Sequence, residues 1–206
     1  MKDSSTEQNI LNAAISIFHK KGMAGARMQE IADEANINKA MLHYYFRNKQ
    51  KLFEAVFMKA FGQLAPQLNL IFNSNDGVFE KIRRFSASYI DFIIQNPYLP
   101  SFIIQELNNN PEFVKRFLAH GNKPDPKPFL KQIEREIEAG NIVEVNPEQV
   151  LLNLLSLCIF PFVAEVMVKT VMSVSDRRFL QLMEERKILI AEQLINSISV
   201  KSVLKT

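Results

Sequence analysis

Between Asn36 and Leu52 the chain reads NINKAMLHYYFRNKQKL, with His43, Tyr44, Tyr45 and Phe46 in an unbroken row and Lys39, Arg47, Lys49 and Lys51 around them. Successive side chains in a helix or a strand point in different directions, so four consecutive rings cannot all face one core. Some must be exposed. Exposed phenol and imidazole groups beside cations suit a polyanion, because the cations neutralise phosphates and the rings donate single hydrogen bonds to phosphate oxygens.

Other chemistry is sparse. The three histidines, His19, His43 and His120, have neither HExxH nor Cys/His metal spacing. No Gly-rich phosphate loop and no G-x-S-x-G elbow occur. The single Cys158, within Leu157-Cys158-Ile159-Phe160, reads as a small core residue and fits a reducing cytosol. No enzyme, metal or cofactor is expected.

The elements that position the row follow from periodicity and punctuation. Six Gly and nine Pro in 206 residues leave long uninterrupted stretches, and no segment alternates like a half-buried strand, so the chain is expected to be all-α. The first helix is expected after Ser4-Ser5-Thr6, where Ser5 and Gln8, or Ser4 and Glu7, have capping-box spacing. Ile10, Leu11, Ala14, Ile17 and Phe18 form its apolar face, and Gly22 can end it. Met28, Ile31, Ala32 and Ala35 mark a short second helix that stops at Asn36, a residue tolerant of the left-handed conformation. Asn38 can cap a third helix from Lys39 to Phe46, and Asn48 a fourth. Two short helices about three residues apart match a helix-turn-helix.

Charge supports that reading. Residues 1–61 hold nine Lys/Arg against six Asp/Glu, which accounts for the whole net charge of +3. In the third helix Ile37, Leu42 and Phe46 are the natural core contacts. Lys39, Ala40, Met41, His43 and Tyr44 then face outward, with Asn38 at the helix start, and Tyr45 either joins them or stacks on a neighbouring helix. Lys39 suits guanine or phosphate, Ala40 and Met41 a thymine methyl, and Arg27, His43, Tyr44 and Lys49 phosphates.

Residues 7–53 resemble the DNA-binding domain of the TetR family of transcriptional regulators. The resemblance is carried by Phe18-His-Lys-Lys-Gly22 and then by Ile31-Ala-Asp-Glu-Ala35-Asn36-Ile37-Asn38-Lys39-Ala40-Met41-Leu42-His43-Tyr44-Tyr45-Phe46-Arg47-Asn48-Lys49-Gln-Lys-Leu52. Asn36 replaces the family's turn glycine, and Ala26-Arg27 replaces the hydroxyl pair that opens its second helix. The resemblance implies a helix-turn-helix head over residues 1–53, a connecting helix at about 49–63, and a helical ligand-binding and dimerisation body over 54–206. It also implies that His43 and Lys49 meet phosphate and that the last two helices dimerise. The expected protein is a cytoplasmic, homodimeric repressor of a palindromic duplex operator, released by a small apolar or aromatic effector. The alternative is a helical DNA-binding or architectural protein that no ligand regulates.

Beyond residue 60 the sequence reads as further helices: 78–95, 99–108, 111–119, Phe129–Ala139, Pro147 to about Val171 and Asp176 to about Ser199. The run 150–168, VLLNLLSLCIFPFVAEVMV, has the length of a membrane span. Asn153, Ser156, Pro161 and Glu165 within it favour a helix buried in a core or a subunit interface. Candidate effector contacts are Phe85, Tyr89, Phe92, Phe102, Phe129, Phe160 and Met167, each of which also reads as plain core. Glu106 and Glu165 are candidates for a polar ligand group or for surface ion pairs.

Overall fold

Helix α1 (Lys2–Gly25) starts upstream of Ser5 and Thr6, which lie within it and do not open it as the capping-box spacing suggested. Gly22, at φ 64 and ψ 175, breaks the helix where its sequence position indicated, and a further turn runs on to Gly25. In this computed structural model the described residues are 2–100 and 123–200, with 104, 108, 112 and 115 between them. The expected helices at 99–108 and 111–119 therefore lie almost wholly outside the described residues. Among those described, helix dominates and no strand forms, only an isolated antiparallel bridge between Ile142 and Ser199.

The described residues fall into two compact units, one of residues up to Gln63 with those of 96–120, the other of residues 64–95 and from 123 onward. In the first, α1 is followed by α2 (Met28–Glu34), α3 (Lys39–Phe46) and α4 (Lys49–Phe72), of which α4 gives residues 49–63 to this unit. Ile10, Ala14 and Phe18 of α1, Ile31 and Ala32 of α2, Leu42 and Phe46 of α3, and Phe53 and Val56 of α4 are buried together, with Phe18 and Phe53 centroids 4.6 Å apart. Polar ties tighten the packing. The Asn9 Nδ2 donates to the Ala35 carbonyl at 2.7 Å, Ser16 to Glu34 at 3.0 Å, and Lys21 pairs with Glu30 at 2.9 Å.

The turn between α2 and α3 is a Schellman motif built on Asn36, whose φ is 55. The Asn36 N–H reaches the Asp33 carbonyl at 3.1 Å and the Ile37 N–H reaches Ala32 at 3.0 Å, so carbonyls that the helix end leaves unpaired are satisfied. The Asn38 side chain then accepts from the Met41 N–H at 2.7 Å, and that of Asn48 accepts from the Lys51 N–H at 2.8 Å. Both asparagines cap as their positions implied.

In the second unit α5 (Val78–Gln95) packs on α6 (Lys127–Glu138), α7 (Pro147–Val163) and α9 (Asp176–Ile198). Phe129, Phe72, Phe85 and Tyr89 form a ring column with successive centroids 5.7, 5.6 and 5.4 Å apart. Beside it Lys81 is buried, and its Nζ donates at 2.9 Å to the Phe72 carbonyl at the end of α4. Burial lowers the pKa of that ammonium.

The single long helix expected from Pro147 to about Val171 is two. Helix α7 stops at Val163, Ala164 leaves helical geometry at ψ 22, and α8 (Glu165–Met172) departs at 74°. Pro161, one turn before the break, lacks the N–H that would bond the Leu157 carbonyl. Arg186 of α9 supplies a donor instead, its Nε 2.9 Å from that oxygen. The apolar run is thus divided, and no single helix among the described residues is long and apolar enough to cross a membrane.

An alanine at position 36 would place a Cβ in the left-handed region that glycine and asparagine tolerate. Asn36→Ala is expected to lower unfolding free energy by about 1–2 kcal/mol in urea titration, while Asn36→Gly holds it near the starting value.

Candidate nucleic-acid interface

The face of α3 is set by what the helix must bury. Leu42 and Phe46, one turn apart, are 0% and 6% exposed, and Ile37 just before the helix is half-buried. Their burial turns Lys39, Ala40, Met41, His43 and Tyr44 to the other side, where all are exposed. Tyr44 is the extreme at 81% exposed, and Met41 stands at 41%. Tyr45 is half-buried and presents its ring edge-on to Tyr44 with centroids 5.5 Å apart.

His43 does not stand free. Its Nδ1 lies 2.7 Å from the Arg47 carbonyl oxygen, which can only accept, so Nδ1 carries the proton in this contact. Arg47 itself sits at φ 45, and its N–H closes α3 on the His43 carbonyl at 2.8 Å. The imidazole therefore braces the end of the helix as well as lining its outer face.

Lys49 is more committed than its place in the sequence suggests. Its Nζ donates to the Ala24 carbonyl at 3.3 Å and to the Ala26 carbonyl at 3.1 Å. Two of its three N–H groups thus hold the link between α1 and α2 against the start of α4. Arg27 follows that link, exposed at the start of α2, with no side-chain hydrogen bond capping the helix. Asn38 uses its side-chain oxygen for the α3 cap and keeps its amide N–H groups. Periodicity reveals faces of helices but not which loop carbonyls need a donor, so neither Lys49's role as a tie nor that of Asn9 was legible.

The residues named for an effector are not gathered at one place. Phe85 and Phe129, each 1% exposed, belong to the ring column. Tyr89 and Phe92 are half-buried on α5, and burial pushes the Tyr89 phenol up to about 12. Phe160 and Met167 are both 54% exposed on the outer surface of α7 and α8. Glu165 forms an ion pair with Lys169 at 2.7 Å. Phe102 and Glu106 lie outside the described residues. A separate cavity of about 320 Å³, lined by Gly77, Val78, Glu80, Arg83, Glu136 and Ile142, contains none of these candidates. Among the described residues no three His, Cys, Asp or Glu side chains converge as a metal site, and Cys158 is fully buried with its thiol pushed up to about 12 by burial.

Residues 10–56 match the family described as bacterial regulatory proteins, tetR family. That match covers the helix-turn-helix head, 47 of the chain's 206 residues. The chain is similar to the HTH-type transcriptional repressor NicS of Pseudomonas putida, with 31% identity over 104 residues, 49% of this chain and 48% of NicS. It is also similar to IcaR of Staphylococcus aureus, the negative transcriptional regulator of the biofilm operon icaADBC, with 28% identity over 106 residues, 52% of this chain and 55% of IcaR. The match thus spans about half the length of these curated relatives. The fold is similar to that of the TetR-family regulator PfmR of Thermus thermophilus, with a TM-score of 0.64 and 19% identity over 89% of this chain and 97% of PfmR.

The bond to Arg47 fixes the tautomer of neutral His43. Long-range ¹H–¹⁵N spectra of the imidazole at high pH are expected to show Nδ1 protonated and Nε2 bare. The opposite pattern would mean the Arg47 contact does not persist in solution.

Proposed function

We propose that this protein is a homodimeric transcriptional repressor, not an enzyme, which works in the cytoplasm. It binds a palindromic DNA duplex through residues 1–53 and is released by an apolar or aromatic small molecule bound within residues 54–206. The observation that carries the DNA reading is the exposed side of α3, where a cation, two small or flexible apolar groups, an imidazole and a phenol stand over a fully buried Leu42. A solvated helix face has no need of Met41 and Tyr44 in the open. A major-groove reader uses both, Met41 against a thymine methyl and Tyr44 toward a phosphate.

The roles follow from reach and chemistry. Lys39, at the start of α3, donates to guanine or to phosphate, and Ala40 lets the helix approach closely. Arg27, His43 and the Asn38 amide serve phosphates, which set register without reading sequence. Lys49 contributes its remaining N–H to a phosphate while its other two hold the loop before Arg27.

Dimerisation is supported by the outer surface of the last helices. Val166 and Val171 of α8 are 76% and 78% exposed, and Ile188 and Leu189 of α9 are 69% and 64% exposed. With Leu152, Phe160 and Met167, all at 54%, they leave an apolar surface that a lone chain would expose to water. A symmetric pair of subunits covers it and sets two α3 helices toward half-sites about 34–36 Å apart.

Selection of bound duplexes from a random pool tests the reading directly, and the expected result is an inverted repeat. Recovery of duplexes with no shared sequence would falsify it. On the selected site, Lys39→Ala is expected to weaken binding by about 1–3 kcal/mol and to relax preference at one position in each half-site. Lys49→Ala should weaken binding to all duplexes and reduce the salt slope by about one. Val166→Asp with Val171→Asp should yield a folded monomer by sedimentation, with operator affinity reduced at least about tenfold.

A further inference from the structure

We propose that binding of duplex DNA draws a proton onto the Nε2 of His43 in each subunit, so that the imidazole grips phosphate as a cation and affinity rises with acidity. This adds a regulation to the DNA reading above and rests on it.

The hydrogen bond that His43 already makes decides what it can offer. With Nδ1 2.7 Å from the Arg47 carbonyl oxygen, the one proton of a neutral ring is committed there. The side chain is exposed, and Nε2 has no hydrogen-bond or ion-pair partner among the described residues. A neutral ring therefore presents a lone pair and nothing to donate. A phosphate oxygen of DNA also only accepts, so the two repel. One proton on Nε2 reverses the contact to a charge-assisted N–H donor, roughly twice as strong as a neutral one. The Nδ1–H is present in both forms of the ring, so the brace on Arg47 survives the change and α3 need not rearrange.

The charged groups of the neighbouring elements are engaged elsewhere. On α3 itself, Lys39 stands one turn before His43 and Arg47 one turn after, both exposed. Helix α2 packs against α3. Of its acids, Glu30 pairs with Lys21 at 2.9 Å, Asp33 accepts from Gln29 at 2.7 Å, and Glu34 accepts from Ser16 at 3.0 Å. Arg27 precedes that helix and is exposed. At the start of α4, Lys49 holds the Ala24 and Ala26 carbonyls, and Lys51 pairs with Glu54 at 2.6 Å. None of these carboxylates pairs with the imidazole. The anion that would pair with a protonated Nε2 thus has to come from the bound partner. A duplex brings one phosphate charge per about 1.7 Å of its axis, to the same face that carries Lys39 and Tyr44.

A lone pair on Nε2 could instead accept from the amino group of cytosine or adenine, which would leave the ring neutral. Position argues against this. Base edges are met by the N-terminal residues of a recognition helix, and His43 is the fifth of eight in α3. Phosphate is the contact that its place favours. Linkage then fixes the sign. A group that holds its proton more tightly in the complex makes binding take up protons. Affinity is therefore highest in acid and falls as pH rises through the range, about 5 to 8, in which imidazoles change charge.

Calorimetric titration of the full chain with a duplex recovered from the random pool tests the proposal. Run at about pH 7.5 in phosphate and in Tris, which differ in heat of ionisation, it counts the protons taken up. The expected count is about half to one per subunit, with affinity at least about tenfold higher at pH 6 than at pH 8. His43→Arg, a permanent cation, should bind about as tightly at both pH values as the unaltered protein does at pH 6. His43→Gln should be equally flat, but at the weak level of pH 8. Long-range ¹H–¹⁵N spectra of the unaltered protein on the duplex should show both nitrogens of His43 protonated. That measurement decides the matter even where a substitution loosens the end of α3. Binding without proton uptake, with Nε2 bare in the complex, overturns the proposal and leaves the DNA reading standing. So does a pH slope that persists in His43→Arg, which would assign the proton to another group. Failure to bind any duplex at pH 6 overturns both.

Discussion

The burial of Leu42 and Phe46 is the constraint on which the head depends. These two side chains, one turn apart, are buried as Phe18, Ile31 and Phe53 are, and α3 packs against α2. Because a helix is rigid in rotation once two positions are fixed, every other side chain of α3 receives its direction from them. The exposed row of Lys39, Ala40, Met41, His43 and Tyr44 is therefore a consequence of packing as much as of surface chemistry. Deleting the core contact would free the helix to roll and scatter those groups. The polar ties at the rim, from Asn9, Ser16 and Lys21, add local precision to an arrangement already set by apolar contact.

What could be read in the sequence was what short-range stereochemistry decides. Asn36, Asn38 and Asn48 do what their side chains dictate, one adopting positive φ and two accepting from N–H groups three residues on. Helix faces in α2, α3 and α5 follow from spacing alone. The start of α1 did not, because the capping spacing at Ser4 and Ser5 competes with helix that simply continues past it to Lys2. The bend at Ala164 was also hidden. A proline in a helix can be accommodated straight or kinked, and the outcome depends on what satisfies the freed carbonyl, here an arginine 29 residues away. Lys49 is a similar case. A lysine beside an aromatic row reads as a surface cation until the Ala24 and Ala26 carbonyls are seen to hold it.

The body uses its charges with a consistent economy. Lys81 closes the end of α4 from within, Arg83 reaches Glu192 at 2.7 Å across to α9, and Lys187 bridges to Asp91 of α5. Each ties two helices through one cation, and the last two fix the lateral register of α5 against α9 where apolar contact alone would permit sliding.

The two residues at positive φ that bracket α3, Asn36 at 55 and Arg47 at 45, have an effect on scale. Neither conformation can be absorbed into a helix, so α3 cannot grow at either end. Eight residues at about 1.5 Å each give a rod of about 12 Å. With base pairs stacked about 3.4 Å apart, such a rod covers three or four of them. A word that short recurs throughout any genome by chance. On the proposed DNA-binding role, the backbone geometry at positions 36 and 47 would set an upper limit on the information one chain can extract, and discrimination between genomic sites would have to come from two such words at a fixed separation.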